Sequence, residues 1–142
     1  MAWTFEHSVE SAVPREFAWK YWTNIENWDD PPARFALDGA FQDGAKLRTN
    51  LPGQELVSVI RDVEEGRAAR IEMDLSGAVM TFQFCFEDAG PARTRITQTL
   101  SLTGESADEL EGQAKVLEEM VPQGMNKLAH AMERKREEES TS

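Results

Sequence analysis

The sequence predicts an α+β fold: one antiparallel sheet of about seven strands, covered on one face by a long C-terminal helix, with two short helices after the first strand. Three observations carry this. Strand-length segments alternate apolar and polar residues through much of the chain. The links between the later segments are short and contain glycine or proline, which favours an antiparallel meander. Residues 106–133 repeat apolar positions at steps of three and four, as a helix with one apolar stripe does.

The elements follow in order. In 3–11, Trp3, Phe5, His7 and Val9 share one parity and Thr4, Glu6, Ser8 and Glu10 the other, which reads as a half-buried strand. Pro14 suits the first turn of a helix. Over 14–22 Phe17, Ala18, Tyr21 and Trp22 gather on one side, Glu16 and Lys20 lie opposite, and Trp19 sits at the border. Asn24 can cap a second short helix, "IENW", which "DDPP" ends. Two short strands, 33–38 and 45–51, are joined by a loop holding Gly39 and Gly44, and Pro52-Gly53 makes a turn. "ELVSVIRDV", "RAARIEMDL", "AVMTFQFCFE" and "RTRITQTLSLTG" then read as four strands broken at Glu65-Gly66, Ser76-Gly77 and Gly90-Pro91. Their alternation sends Ile71, Met73, Leu75, Met80, Phe82, Phe84, Phe86, Ile96, Gln98, Leu100 and Leu102 to one face. The long helix carries the stripe Leu110, Ala114, Leu117, Val121, Met125, Leu128 and Met132, and Pro122 predicts a kink near Met120–Val121. The charged tail from residue 137 is expected to fray, leaving 1–136 as a single domain.

Composition limits function. The net charge of −11 disfavours phosphate backbones and anionic lipid heads, so no nucleic-acid partner is expected. The one basic run, "ERKRE", is neutralised by its own glutamates, and the acidity itself reads first as a solubility device. No apolar run approaches the roughly 20 residues needed to span a bilayer, and "MAWTFEHSVESAVPREF" does not look like a signal peptide. Cys85 is the single cysteine, which suits a reducing compartment and makes the cytoplasm the expected location. Two histidines and one cysteine supply no zinc-like ligand set, and there is no Gly-rich phosphate loop or Ser-His-Asp ordering, so neither metal nor cofactor is expected.

Four segments resemble a known family. "SAVPREFAWKYWTNIENW" is similar to the opening of the START/Bet v 1-like (SRPBCC) superfamily in its polyketide cyclase/dehydrase-like branch. "LDGAFQDGAK" resembles the second hairpin, "TRITQTLSLTG" the last strand, and "VPQGMNKLAHAME" the final helix. The resemblance covers nearly the whole chain and rests on the order of the four rather than on any one motif. It implies the helix-grip fold, a curved sheet wrapped on the long helix, commonly with space between the two. Members bind lipids, hormones or polyketides there, some act as cyclases or dehydratases, and a related branch binds a chaperone. Fold alone does not choose among these.

The inward parity holds few groups able to do chemistry. His7 is a weak catalytic candidate, able to act as acid or base near neutral pH; equally, it is a satisfied semi-buried histidine. Gln98 must find a partner when buried, whether a ligand, a backbone group or water. His130 falls off the helix stripe and is expected exposed. Arg61 and Asp62 read as a surface pair at a strand end, and Asp29 and Asp30 as a solvated loop near the mouth that could alternatively select a cationic or hydroxylated ligand. Met73, Met80, Met120, Met125 and Met132 lie on or beside the inward stripes, either as soft core or as a pliable pocket wall.

These observations together predict an internal cavity for a small apolar or aromatic molecule. The expected ligand-binding lining is Trp22, Trp28, Phe35, Leu47, Met73, Met80, Phe82, Phe84 and Gln98, with Leu117, Val121 and Met125 from the helix. The alternatives are a cyclase or dehydratase using His7 and, ranked last, a protein-interaction module of the chaperone-activator kind. A homodimer is compatible with the sequence.

Overall fold

The computed structural model describes residues 3–28 and 33–141. Its strands are β1 (Trp3–Ser11), β2 (Arg34–Leu37), β3 (Lys46–Leu51), β4 (Gln54–Glu64), β5 (Ala68–Asp74), β6 (Val79–Gly90) and β7 (Arg93–Thr103). Helix α1 (Arg15–Thr23) follows β1 and leads into a short 3₁₀ turn (Ile25–Asn27), while α2 (Ala107–Ala114) and α3 (Leu117–Thr141) follow β7. All seven strands form one antiparallel sheet in the order β1-β7-β6-β5-β4-β3-β2. Strands β2 to β7 are a simple meander, and β1 returns to the outer edge of β7. Register shifts between Arg61 and Glu64 in β4 and between Asp88 and Gly90 in β6 bend the strands and curve the sheet.

The alternation places side chains as the sequence predicts. The cross-strand pairs Phe5–Leu100, His7–Gln98, Phe84–Gln98 and Ile71–Phe82 all join inward-parity residues. Arg61 and Asp62 are both exposed at the β4 bulge, where Asp62 adopts φ 51° and pairs with Arg70 at 2.8 Å. Asp tolerates this left-handed conformation better than most residues. In α1 the border residue Trp19 is buried along with Ala18 and Trp22, because it turns edge-on to Phe86 at 5.5 Å. Asn24 caps the 3₁₀ turn, accepting from the Glu26 amide at 3.1 Å. His130 is exposed. Asp29 and Asp30 lie outside the described residues.

One expectation needs correction. The helix predicted over 106–133 is two helices, and the break falls at Lys115 and Val116 rather than near Met120–Val121. Pro122 lacks the amide that would bond the Glu118 carbonyl, and its ring crowds that carbonyl. The break itself lies upstream of that carbonyl. Tightened i→i+3 bonds from Val116 to Gln113, Glu118 to Lys115 and Glu119 to Val116 end one helix and start another. Pro122 itself stands in the second turn of α3, where the bond to the Glu118 carbonyl is lost within the helix. At its other end, α3 continues as helix to Thr141, past residue 137 where fraying was expected to begin.

Two apolar clusters fill the inside of the sheet. One gathers Trp19, Trp22, Ile60, Ile71, Phe86, Ile96, Met125 and Met132 under α1 and α3. The second gathers Trp3, Met80, Leu100, Leu102, Ala107 and Ala114 under α2. Of the sheet, α3 packs chiefly on β1. Trp3 Nε1 donates to Glu118 Oε2 at 2.9 Å near one end of β1. At the other end Ser11 Oγ donates to the Ala129 carbonyl at 2.8 Å, and the Ala12 amide to Glu133 Oε2 at 2.9 Å.

Two predictions follow from this packing. Trp22→Ala should cost about 3–5 kcal/mol in urea unfolding, since Trp22 is 3% exposed at the centre of the aromatic cluster. Ser11→Ala should cost only about 1 kcal/mol globally, the net worth of a buried hydrogen bond. It should nevertheless speed amide hydrogen exchange in α3 around Ala129 more than in β5, and equal acceleration in both would contradict the attachment role.

Candidate functional site

Between the sheet and α3 lies an open-mouthed cavity of about 740 Å³. This volume falls within the roughly 300–1,000 Å³ common for small-molecule sites. Three walls meet there. The sheet contributes Phe35, Phe84 and Gln98. The end of α1 and the 3₁₀ turn contribute Tyr21, Trp22, Asn27 and Trp28. The third wall is α3, through Leu117, Met120, Val121, Gly124, Met125, Leu128 and Ala131.

The aromatic side is built from α1 outward. Trp22 lies 4.5 Å from Phe84 between ring centroids, tilted by 37°, and 6.1 Å from Trp28. Trp28 meets Phe35 edge-on at 5.3 Å. Its Nε1 donates to the Trp22 carbonyl at 2.6 Å, a bond between the two ends of the segment 22–28. Trp28 is therefore a packed wall with its polar atom already satisfied.

Polar groups in the described lining are sparse. Asn27 Nδ2 donates to the Tyr21 carbonyl at 3.0 Å. Gln98 is only 8% exposed and lines the cavity, while the fully buried side-chain atoms without a partner among the described residues, Ser58 Oγ and Arg70 Nε, are elsewhere. Lys127 and Arg134 supply the charges of the described lining; both are cationic and both are exposed. No acidic side chain joins them among the described residues, even though the chain carries an excess of acids.

Of the residues predicted to line a cavity, Trp22, Trp28, Phe35, Phe84, Gln98, Leu117, Val121 and Met125 come together on its walls. Leu47, Met73, Met80 and Phe82 do not. Leu47 is buried in the core under α1 and α3, Met80 belongs to the cluster beneath α2, Met73 packs against that cluster, and Phe82 packs against both clusters. Alternation identifies which face a side chain takes, but not how far along the strand the helices fill the space. His7 is half-buried on β1, directly across from Gln98, and it is not on the cavity wall. Sequence reasoning missed Tyr21, Asn27, Gln123, Gly124, Lys127, Leu128, Ala131 and Arg134 as lining, and named Met120 only as either soft core or pocket wall. A signal was present for part of α3. Gly124 and Ala131 fall in step with Leu117, Val121 and Leu128, and small residues in an apolar stripe leave room.

Cys85 lies on the opposite face of β6; burial first, then Glu87, Glu64 and Glu6, push its thiol above the usual range and away from the reactive thiolate. No group of His, Cys, Asp and Glu able to hold a metal ion occurs among the described residues. No described helix is long and apolar enough to cross a membrane.

Comparison with solved structures places the fold. Norcoclaurine synthase from Thalictrum flavum, in complex with dopamine and hydroxybenzaldehyde, superposes with a TM-score of 0.72 at 13% identity, covering 97% of this chain and 88% of that one. Protein MLL2253 from Mesorhizobium loti gives 0.72 at 15% identity, covering 93% and 98%. A Thermobifida fusca protein gives 0.69 at 22% identity, covering 92% and 93%. At these identities the likeness shows the helix-grip fold and nothing finer. No curated protein matches the chain. The family model described as polyketide cyclase / dehydrase and lipid transport matches residues 2–133. With the curved seven-stranded sheet, the long C-terminal helix and the cavity between them, that match over nearly the whole sequence shows that the chain belongs to the polyketide cyclase / dehydrase and lipid transport family.

Proposed function

We propose that this protein binds a small apolar or aromatic molecule, lipid- or polyketide-like, in the cavity between the sheet and α3. The observation that carries the reading is the cavity itself, about 740 Å³ walled by Trp22, Trp28, Phe35 and Phe84 and left open where Gly124 has no side chain. An ideal Cβ placed on Gly124 meets no atom within 4 Å. The family description supports it, as does a structural neighbour whose complex holds two small aromatic molecules. Each 100 Å² of ligand apolar surface removed from water would contribute roughly 2.5 kcal/mol, before the cost of association is subtracted.

The cyclase or dehydratase alternative has less to support it, because its candidate acid/base, His7, stands off the cavity wall. Binding is therefore the preferred reading. A single domain over 1–136 and residence in a reducing compartment remain consistent with one cohesive sheet and one cysteine.

Gly124→Leu tests the proposal. The substitution fills the cavity from α3 and raises helix propensity by up to about 1 kcal/mol, so the thermal midpoint should stay level or rise. Affinity for the neutral fluorescent probe N-phenyl-1-naphthylamine should fall by at least about tenfold. Unchanged probe affinity in a folded variant would sink the cavity reading.

A further inference from the structure

Resting on the cavity reading above, we infer that the site selects an uncharged aromatic molecule bearing a hydroxyl or carbonyl oxygen, and that the side-chain amide of Gln98 recognises that oxygen.

The inference begins with a polar side chain that lines the cavity on an otherwise apolar strand face. A buried amide without a partner opposes folding, and an apolar residue at the same position would not. Gln98 occupies an inward position between Ile96 and Leu100, both fully buried, on the central part of β7. Its nearest inward neighbours across the sheet are His7 on β1 and Phe84 on β6. Phe84 offers no lone pair or N–H. His7 makes no hydrogen bond to it. The Gln98 amide nevertheless reaches the cavity wall.

Two half-buried polar groups on that wall are already engaged. Trp28 Nε1 is held by the Trp22 carbonyl and Asn27 Nδ2 by the Tyr21 carbonyl. Gln98 is thus the open polar anchor in the interior part of the described lining. A primary amide carries both donor and acceptor, so it fits a hydroxyl or a carbonyl equally well.

Position then constrains the rest of the ligand. Directly opposed side chains on adjacent strands stand about 5 Å apart. A group bonded to Gln98 therefore lies beside the Phe84 ring, and Trp22 packs on that same ring at 4.5 Å, tilted by 37°. A flat aromatic body suits these walls. An ionised head at the Gln98 end does not, since no charged side chain of the described lining is buried beside it. Lys127 and Arg134 are exposed on α3.

The test compares ligands of one shape. Naphthalene, 2-naphthol, 2-acetonaphthone and 2-naphthoate are titrated into the intact protein, with affinity read by NMR. The naphthol and the acetonaphthone should each bind about tenfold tighter than naphthalene, and the naphthoate more weakly than the naphthol. Gln98→Met should reduce both preferences to within about twofold, the discrimination expected when only shape is read. It should also leave naphthalene affinity and the thermal midpoint level or higher. In the unaltered protein the Gln98 side-chain amide resonances should shift with 2-naphthol and not with naphthalene, a readout independent of whether the variant folds. The inference is overturned if naphthalene binds as tightly as its oxygenated relatives, if the preference survives Gln98→Met, or if the naphthoate binds tightest. Failure of all four to bind would overturn the cavity reading as well, which separates the two.

Discussion

The attachment of α3 to the edge strand β1 is the constraint on which the rest of this structure depends. An edge strand leaves a row of backbone groups and one flank without a strand neighbour. Here β1 is covered by the last helix and tied to it near both ends, through Trp3–Glu118 and through Ser11 and Ala12 to Ala129 and Glu133. Because these bonds lie on the β1 side, α3 crosses the sheet off-centre. Its buried position Ala129 packs there, and its next face, with Leu117, Val121, Gly124, Met125 and Leu128, looks across open space toward β6, β7 and β2. The cavity is the volume that this lateral anchoring leaves uncovered.

That volume would close if its far wall were soft. Instead the wall is a ring-to-ring assembly in which Trp22 touches Trp19, Trp28, Phe41, Phe84 and Phe86. Interlocked aromatics resist rearrangement because each ring's position depends on several others. The Trp28 bond to the Trp22 carbonyl adds a polar stop to the same unit. At the other end of the sheet, α2 seals the inner face with small residues, Ala107 and Ala114, over Met80, Leu100 and Leu102. The close approach there explains Gly104: at φ +115°, a side chain would meet the Gly77 carbonyl at 2.7 Å. One half of the sheet is thus packed solid and the other is left accessible.

Charge is distributed to match. The outer face of the sheet carries paired residues such as Glu10 with Arg93 at 2.6 Å, a hydrogen bond that holds the Glu10 carboxyl below its ordinary range. The described lining of the cavity keeps acids out altogether despite the net charge of −11. Among the described residues, a site with aromatic walls, the Gln98 amide in its interior and cations at its exposed margin is suited to recognition by shape and few polar contacts.

How much of this was legible beforehand differs by level. Sequence by itself determined the seven strands, their inward parity, α1 with a short Asn24-capped helical turn after it, and a C-terminal helical stripe, because these depend on local periods of two and 3.6 residues and on proline and glycine stereochemistry. It also determined that Gln98 would be an inward polar residue in need of a partner. Only the tertiary structure decided that the helix breaks at Lys115–Val116, where α2 and α3 pack on different parts of the sheet. Tertiary packing likewise decided that Leu47, Met73, Met80 and Phe82 are core while Gly124, Leu128 and Ala131 face a cavity. Alternation assigns a side chain to a face. Whether that face meets a helix or open space depends on where α2 and α3 come to rest, and their resting place is set by contacts more than a hundred residues apart in sequence, such as Trp3 with Glu118.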